Sequence, residues 1–220
     1  MVKCVNEWTL DDVRAALDAG ARVLLMVRHA ERPHMDHDDP TFCEKLPLTP
    51  AGRRMAEDFG RALKDCADGV QFISSPLLRT RQTAAGIARG MGLGEPAIPA
   101  DGTLGNTTPY FADRHAVFEL FRTGDFYNKI FAYFATGEQR GFANLHAATE
   151  KLEAWCLAHF TGRLGIFTTH DLYNAAFLYA KGVVPLFTEE NWVRFLDSAA
   201  IVLNPDGTRT YAFVRSNVFP

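Results

Sequence analysis

A chain of 220 residues can bury one sizeable core but is short for two. Its 47% hydrophobic and 22% charged residues are those of a globular domain rather than a disordered or membrane-spanning one. A net charge of −3 excludes bulk attraction to nucleic acid or to an acidic membrane, so any anion-binding site has to be local.

No apolar stretch approaches a membrane span, and the first eight residues lack the apolar core of a signal peptide. Cys4, Cys43, Cys66 and Cys156 form no CxxC pair and no metal-ligand spacing, and read as free thiols in a reducing compartment. The expectation is a cytoplasmic protein with neither a membrane nor a nucleic-acid partner. The sequence carries no signal for an oligomeric state.

The first helix signal is Thr9 with Asp12 three residues on, followed by Leu10, Val13, Ala16 and Leu17 at helical spacing until Gly20. An apolar run over 23–27 then ends in Arg28-His29-Ala30-Glu31-Arg32. A short run of this kind reads as a strand buried on both faces. In an open α/β sheet the ligand sits beyond the carboxyl ends of such strands. Arg28 and Arg32 flanking His29 therefore suggest an anion site that contains a nucleophile. Residues 33–48 are polar. His34, His37, Asp36, Asp38 and Asp39 have no recognised ligand spacing and read as a solvated loop rather than a metal site.

Thr49-Pro50 is an N-cap followed by proline at the first helical position, and Met55, Phe59, Ala62 and Leu63 give that helix one apolar face. A short strand over 71–74 leads into Ser75-Pro76, which repeats the cap-plus-proline signal. The helix that follows carries Arg79 in its first turn, where the helix N-terminus already favours anions. Residues 90–105, rich in glycine and proline, read as a connection with room for a short edge strand. Residues 110–135 are unusually aromatic. Phe118 and Phe121 fit one helix; Tyr127, Ile130, Phe131 and Phe134 fit a second, with Asp125 as its cap. Their spacing is that of a core stripe rather than a substrate pocket.

A longer helix carries Leu145, Thr149, Leu152 and Cys156 in register, with His146 and His159 as helix histidines. A second core strand over 164–169 again ends in charge, at His170-Asp171, and a helix starts at once. Two β-rich runs around Asn204-Pro205-Asp206-Gly207 form a hairpin signal. There is no internal repeat and no linker, so residues 1–220 read as one domain. Three strand ends now carry Arg28-His29, Arg79 and His170-Asp171, and in a doubly wound sheet such ends share one edge. Arginine forks suit phosphoryl oxygens, and an imidazole whose other nitrogen keeps its proton is a competent nucleophile.

These motifs resemble the histidine phosphatase superfamily, also called phosphoglycerate mutase-like. Its RHG-type motif appears as Arg28-His29-Ala30, with Ala30 in place of glycine. Its helix start appears as Leu48-Thr49-Pro50-Ala51-Gly52. The second arginine motif appears within 74–84, around Arg79, and the second histidine as Thr168-Thr169-His170-Asp171. The four occur in family order.

The resemblance implies a three-layer α/β/α fold with a central, mostly parallel but mixed sheet, and residues 103–135 as a helical insertion or cap near the site. It implies phosphoric monoester hydrolysis through a phosphohistidine at His29, with Arg28, Arg32, Arg79 and His170 on the phosphoryl oxygens. The substrate is a small phosphorylated molecule, and neither metal nor organic cofactor is needed. The mutase-type branch takes its general acid from a glutamate after the second arginine motif, but the matching stretch, 101–106, has none. The acid-phosphatase branch places an aspartate directly after the second histidine and an extra arginine after the first motif, as Asp171 and Arg32 stand here. Asp171 is thus the expected acid and Asp113 the reserve. The alternatives are a phosphomutase using the same pocket and a non-catalytic phosphate-binding or interaction domain.

Overall fold

The computed structural model describes residues 4–35, 39 and 43–217. His37, Asp36 and Asp38 of the polar loop lie outside the described residues. The elements are strand β1 (Glu7–Trp8), helix α1 (Leu10–Asp18), β2 (Arg22–Arg28), α2 (Pro50–Ala62), β3 (Val70–Ser74), α3 (Leu78–Gly90), α4 (Arg114–Arg122), α5 (Phe126–Thr136), α6 (Leu145–His159), β4 (Leu164–Thr169), α7 (Asp171–Ala180), β5 (Ser198–Leu203) and β6 (Arg209–Val214). Single 3-10 turns lie at Lys64–Cys66 and Gly102–Leu104. The fold class is α/β.

The six strands form one sheet in the order β1-β6-β5-β2-β4-β3. Three neighbouring pairs are parallel (β1 with β6, β2 with β4, β4 with β3) and two are antiparallel. Strand β2 is central, and its apolar run serves both faces, as the period of two requires. Leu24 and Met26 enter a core shared with α4, α5, α6 and α7. Val23, Leu25 and Val27 enter the opposite core with α1, α2 and α3. The molecule is therefore helix, sheet, helix in three layers.

Local signals explain most boundaries. Thr9 and Asp12 close a reciprocal capping box on α1, and the Thr49 hydroxyl accepts the Gly52 N–H beneath Pro50. The hairpin between β5 and β6 turns at Gly207, whose φ of 83° is open to glycine at no steric cost. Two caps differ from expectation. Helix α3 starts at Leu78 with no side-chain cap, because the Ser75 hydroxyl is turned toward His170 instead. Asp125 holds the N-cap position of α5 in a left-handed conformation but caps no backbone N–H; its carboxylate accepts the Asn128 amide of the same helix. The connection after α3 contributes one parallel bridge, Ala100 with Ser74, in place of a full edge strand. The two-residue edge strand β1 has no sequence signal and forms because β6 offers it a free edge.

Helices α2 and α3 meet through glycine. A Cβ on Gly60 would lie 2.1 Å from the Ile87 carbonyl oxygen, and one on Gly90 2.0 Å from that of Glu57. Gly60→Ala is therefore expected to destabilise the fold by about 3 kcal/mol through forced separation of the helices, less the roughly 1 kcal/mol that alanine adds to helix propensity. Denaturant unfolding of the two proteins measures the difference; an unchanged midpoint would refute the close approach.

Candidate active site

The register of the parallel strands builds the site. Arg28 pairs with Thr169 across β2 and β4, and Ser74 with Thr168 across β3 and β4. The residues just past these ends therefore come out side by side. The His29 N–H donates to the Thr169 carbonyl, and the Ser75 N–H to that of Thr168. His29 and His170 face each other edge to face, with ring centroids 5.5 Å apart. Arg79, in the first turn of α3, is 5% exposed, and His29 only 2%.

His29 is held in one protonation form. Its Nδ1 lies 2.8 Å from the Ala30 carbonyl oxygen. A carbonyl only accepts, so Nδ1 carries the proton and donates it, and Nε2 is left with a bare lone pair. Burial, and then the charges of Arg79, Arg28 and His170, push the imidazole well below its ordinary titration range. It is neutral where an unperturbed histidine begins to charge. Ala30 is buried, and its φ is not positive. That is why a methyl group is tolerated at this position. Its N–H donates to the Thr83 hydroxyl on α3, which fixes the turn after β2.

His170 closes the other side. Its Nε2 sits 3.2 Å from the Ser75 hydroxyl, and burial followed by Arg79 pushes it down in the same direction as His29. The Thr169 hydroxyl donates to the Leu104 carbonyl, and the Tyr173 hydroxyl to that of Gly105. Residues 104–105 are thus spent on backbone contacts beneath the site. Asn106 donates its amide to Glu44, which also pairs with Arg114 at 2.6 Å.

Three guanidinium groups enclose the histidines. Arg28 Nη1 donates to the Val193 carbonyl, Arg79 Nη1 to that of Cys43 and Arg32 Nη1 to that of Pro33. The Nε of each is buried with no partner among the described residues. Buried donors in native proteins are nearly always satisfied, so three in one place point to an anionic ligand. Burial pushes Arg79 down to about 10, with Arg32 adding to the effect, yet it stays charged at neutral pH. The surrounding positive charge is what lowers it.

Asp171 stands at the first position of α7, after His170 as N-cap. Its Oδ1 accepts the Leu172 N–H, so part of its role is at the helix start. Its Oδ2 takes Arg28 Nη2 at 3.0 Å and the Trp192 indole N–H at 3.2 Å. Burial alone would raise this carboxyl, but Arg28, Trp192, His170 and Arg32 together outweigh it and hold Asp171 below the usual carboxylate range. A carboxyl raised in the resting protein, the property first expected of a general acid, is not what the structure has. Asp113 is elsewhere: it is exposed, and its carboxylate caps α4 through the N–H groups of His115 and Ala116.

The structure thus brings together Arg28, His29, Arg32, Arg79, His170 and Asp171, and leaves Asp113 out. Sequence reasoning missed the loop between α7 and β5. There, the Phe195 ring lies 4.4 Å beneath the Arg28 guanidinium and 5.7 Å from the His29 ring, and Trp192 reaches Asp171. No spacing rule marks an irregular loop; its only signal is a buried aromatic beside the acidic pair Glu189-Glu190. Among the described residues no cluster of three or more His, Cys, Asp or Glu could hold a metal ion, and no helix is long and apolar enough to cross a membrane.

Residues 24–102 match the family model described as histidine phosphatase superfamily (branch 1). No curated protein matches the chain. Among solved structures it is similar to a mycobacterial glucosyl-3-phosphoglycerate phosphatase (18% identity, 90% of this chain and 100% of that one, TM-score 0.58). It is also similar to a phosphoserine phosphatase mutant from Entamoeba histolytica, crystallised with phosphoserine (16% identity, 90% and 99%, TM-score 0.57). A third is a phosphoglycerate mutase from Bacillus anthracis (17% identity, 92% and 95%, TM-score 0.54). These matches place residues 24–102 in the histidine phosphatase superfamily and give the chain as a whole the phosphoglycerate mutase-like fold.

Proposed function

We propose that the protein is a phosphomonoesterase that works through a phosphohistidine on His29. The observation that carries this reading is the His29 ring, locked through Nδ1 on the Ala30 carbonyl with its Nε2 bare among Arg28, Arg79 and His170, all of which act on its charge. Nε2 attacks phosphorus and the ester oxygen leaves with the bonding electrons. Asp171 protonates that oxygen. Water then attacks the phosphohistidine, Asp171 takes the proton back, and phosphate departs with His29 restored. Arg28, Arg32 and Arg79 hold the phosphoryl oxygens and neutralise developing charge, with His170 beside them. Three arginine charges against the one of Asp171 leave a surplus of two. That matches the dianion of a monoester better than the single charge of a diester.

The substrate is proposed to be a small phosphorylated metabolite, as the printed names of the similar phosphatases suggest. Helices α4 and α5, within residues 103–135, are the proposed cap over its leaving group. Hydrolysis is preferred to phosphoryl return because no carboxylate stands at 104–106, the segment from which the mutase-type branch draws its acid. The four free cysteines fit a reducing compartment, and the cytoplasm is the proposed location.

Phosphorylated metabolites screened with the protein are expected to release inorganic phosphate. Quenching during turnover should leave acid-labile, alkali-stable phosphate on His29. Phosphate release without that adduct would overturn the covalent route, and failure to hydrolyse any monoester would overturn the enzyme reading.

A further inference from the structure

In the resting protein, Asp171 Oδ2 has two partners, and the proposed reaction removes one of them. Arg28 Nη2 holds it at 3.0 Å. The same guanidinium has a buried, unpartnered Nε, and a phosphoryl dianion is a stronger partner for it than a single carboxylate. As the anion takes Arg28 over, Asp171 loses its main countercharge. That loss favours its protonated form, the one a general acid needs. It would also release the side chain, were Arg28 its only partner.

The second partner does not depend on the anion. Trp192 Nε1–H donates to Oδ2 at 3.2 Å. The indole is buried and packs against the rings of Phe126, Tyr127, Phe131, Phe134 and Phe187 at centroid distances of 5.4 to 6.4 Å. These rings come from α5 and from the loop after α7. An indole so clamped has one orientation to offer its N–H, and it carries no charge for the phosphoryl group to attract. Tyr127, in edge contact with that indole, also feels the charges of both Asp171 and Arg28. The aromatic cluster therefore reaches the mouth of the anion site.

We propose that Trp192 is a positioning residue: its indole N–H keeps the Asp171 carboxyl on the leaving-group side of the pocket when the phosphoryl group recruits Arg28. This rests on the general-acid role given to Asp171 above. A neutral donor suits the task, because it holds the carboxyl in place without fixing it as a carboxylate.

Trp192→Phe keeps a ring in the aromatic cluster and removes the N–H. It is expected to lower kcat/KM for an alkyl phosphate roughly 10- to 100-fold, the size of a lost hydrogen bond to a charged group. Hydrolysis of p-nitrophenyl phosphate, whose leaving group needs little protonation, should change less than about threefold. In an Asp171→Asn background the same change should cost nothing further on the alkyl ester. Equal loss on both esters, or full additivity with Asp171→Asn, overturns the proposal.

A second measurement does not depend on the variant folding. The Trp192 indole 15N–1H resonance should move in Asp171→Asn and stay hydrogen-bonded when inorganic phosphate is added to the wild-type protein. An indole resonance indifferent to Asp171→Asn overturns the proposal equally. Absence of phosphate on His29 during turnover would instead remove the underlying reading, while the indole resonance still reports whether Trp192 holds Asp171.

Discussion

His29→Ala is expected to abolish phosphate release, by on the order of 10⁴-fold or more, the scale on which removing a covalent nucleophile acts. No neighbour can take its place. His170 has its Nε2 against the Ser75 hydroxyl, and nothing fixes its ring on a backbone carbonyl as Ala30 fixes that of His29. The substitution should leave the fold intact. The strand geometry is held by the His29 N–H to Thr169 and the Ala30 N–H to Thr83, and both are backbone donors that alanine keeps. It also removes a buried, neutral imidazole that is costly to charge. The native state resists protonating this ring, so the unfolded chain binds the extra proton as pH falls below about 6.5, and stability falls with it. His29→Ala should therefore lose less stability than the wild type on acidification. Phosphate release, circular dichroism and unfolding at neutral and acidic pH test both halves. Near-normal turnover in a folded His29→Ala protein would refute the nucleophile.

Asp171→Asn is expected to separate substrates by their leaving groups. General acid catalysis is worth roughly 10²- to 10⁴-fold where the leaving oxygen must be protonated, so alkyl phosphates should lose activity on that scale. p-Nitrophenyl phosphate should stay within about tenfold of wild type, because its phenolate departs without a proton. Asparagine still accepts from Trp192 and the Leu172 N–H, but it cannot deliver a proton and no longer pairs with Arg28.

The resting carboxylate sets the pH dependence. Arg28, Trp192, His170 and Arg32 hold Asp171 down against burial, so the free enzyme has little protonated acid at neutral pH. For alkyl esters kcat/KM should rise as pH falls from neutral, until His29 begins to take the proton. Because burial and the arginines push His29 well below its ordinary range, that fall comes late, and the optimum is mildly acidic. In Asp171→Asn the rise should disappear. An unchanged pH profile and equal losses on both esters would remove Asp171 from the reaction. The same selective pattern in Asp113→Asn would transfer the role there, although Asp113 is engaged as the cap of α4.

The site's main chemistry was legible in the sequence because it lies at the ends of strands. A continuous apolar run such as 23–27 can only be satisfied between two helical layers, and the charge after it then has to emerge at the sheet's edge. The same grammar at Arg79 and at His170-Asp171 named three adjacent strand ends before their order was known. What the sequence could not supply was which nitrogen of His29 is bare, what Ser75 does, and what Asp171 touches. These depend on side chains that meet across long separations. Ser75 is spent on His170 rather than on α3 because the β3–β4 register sets them face to face. The carboxyl of Asp171 is held low rather than raised because Arg28 and Trp192 converge on one oxygen. The sequence by itself determined the layered α/β class, the core strands and the residue types at their ends, because periodicity and capping are local. Only the tertiary structure decided protonation, pairing and the part taken by the loop around Trp192, because burial and opposing charge are properties of the packed site.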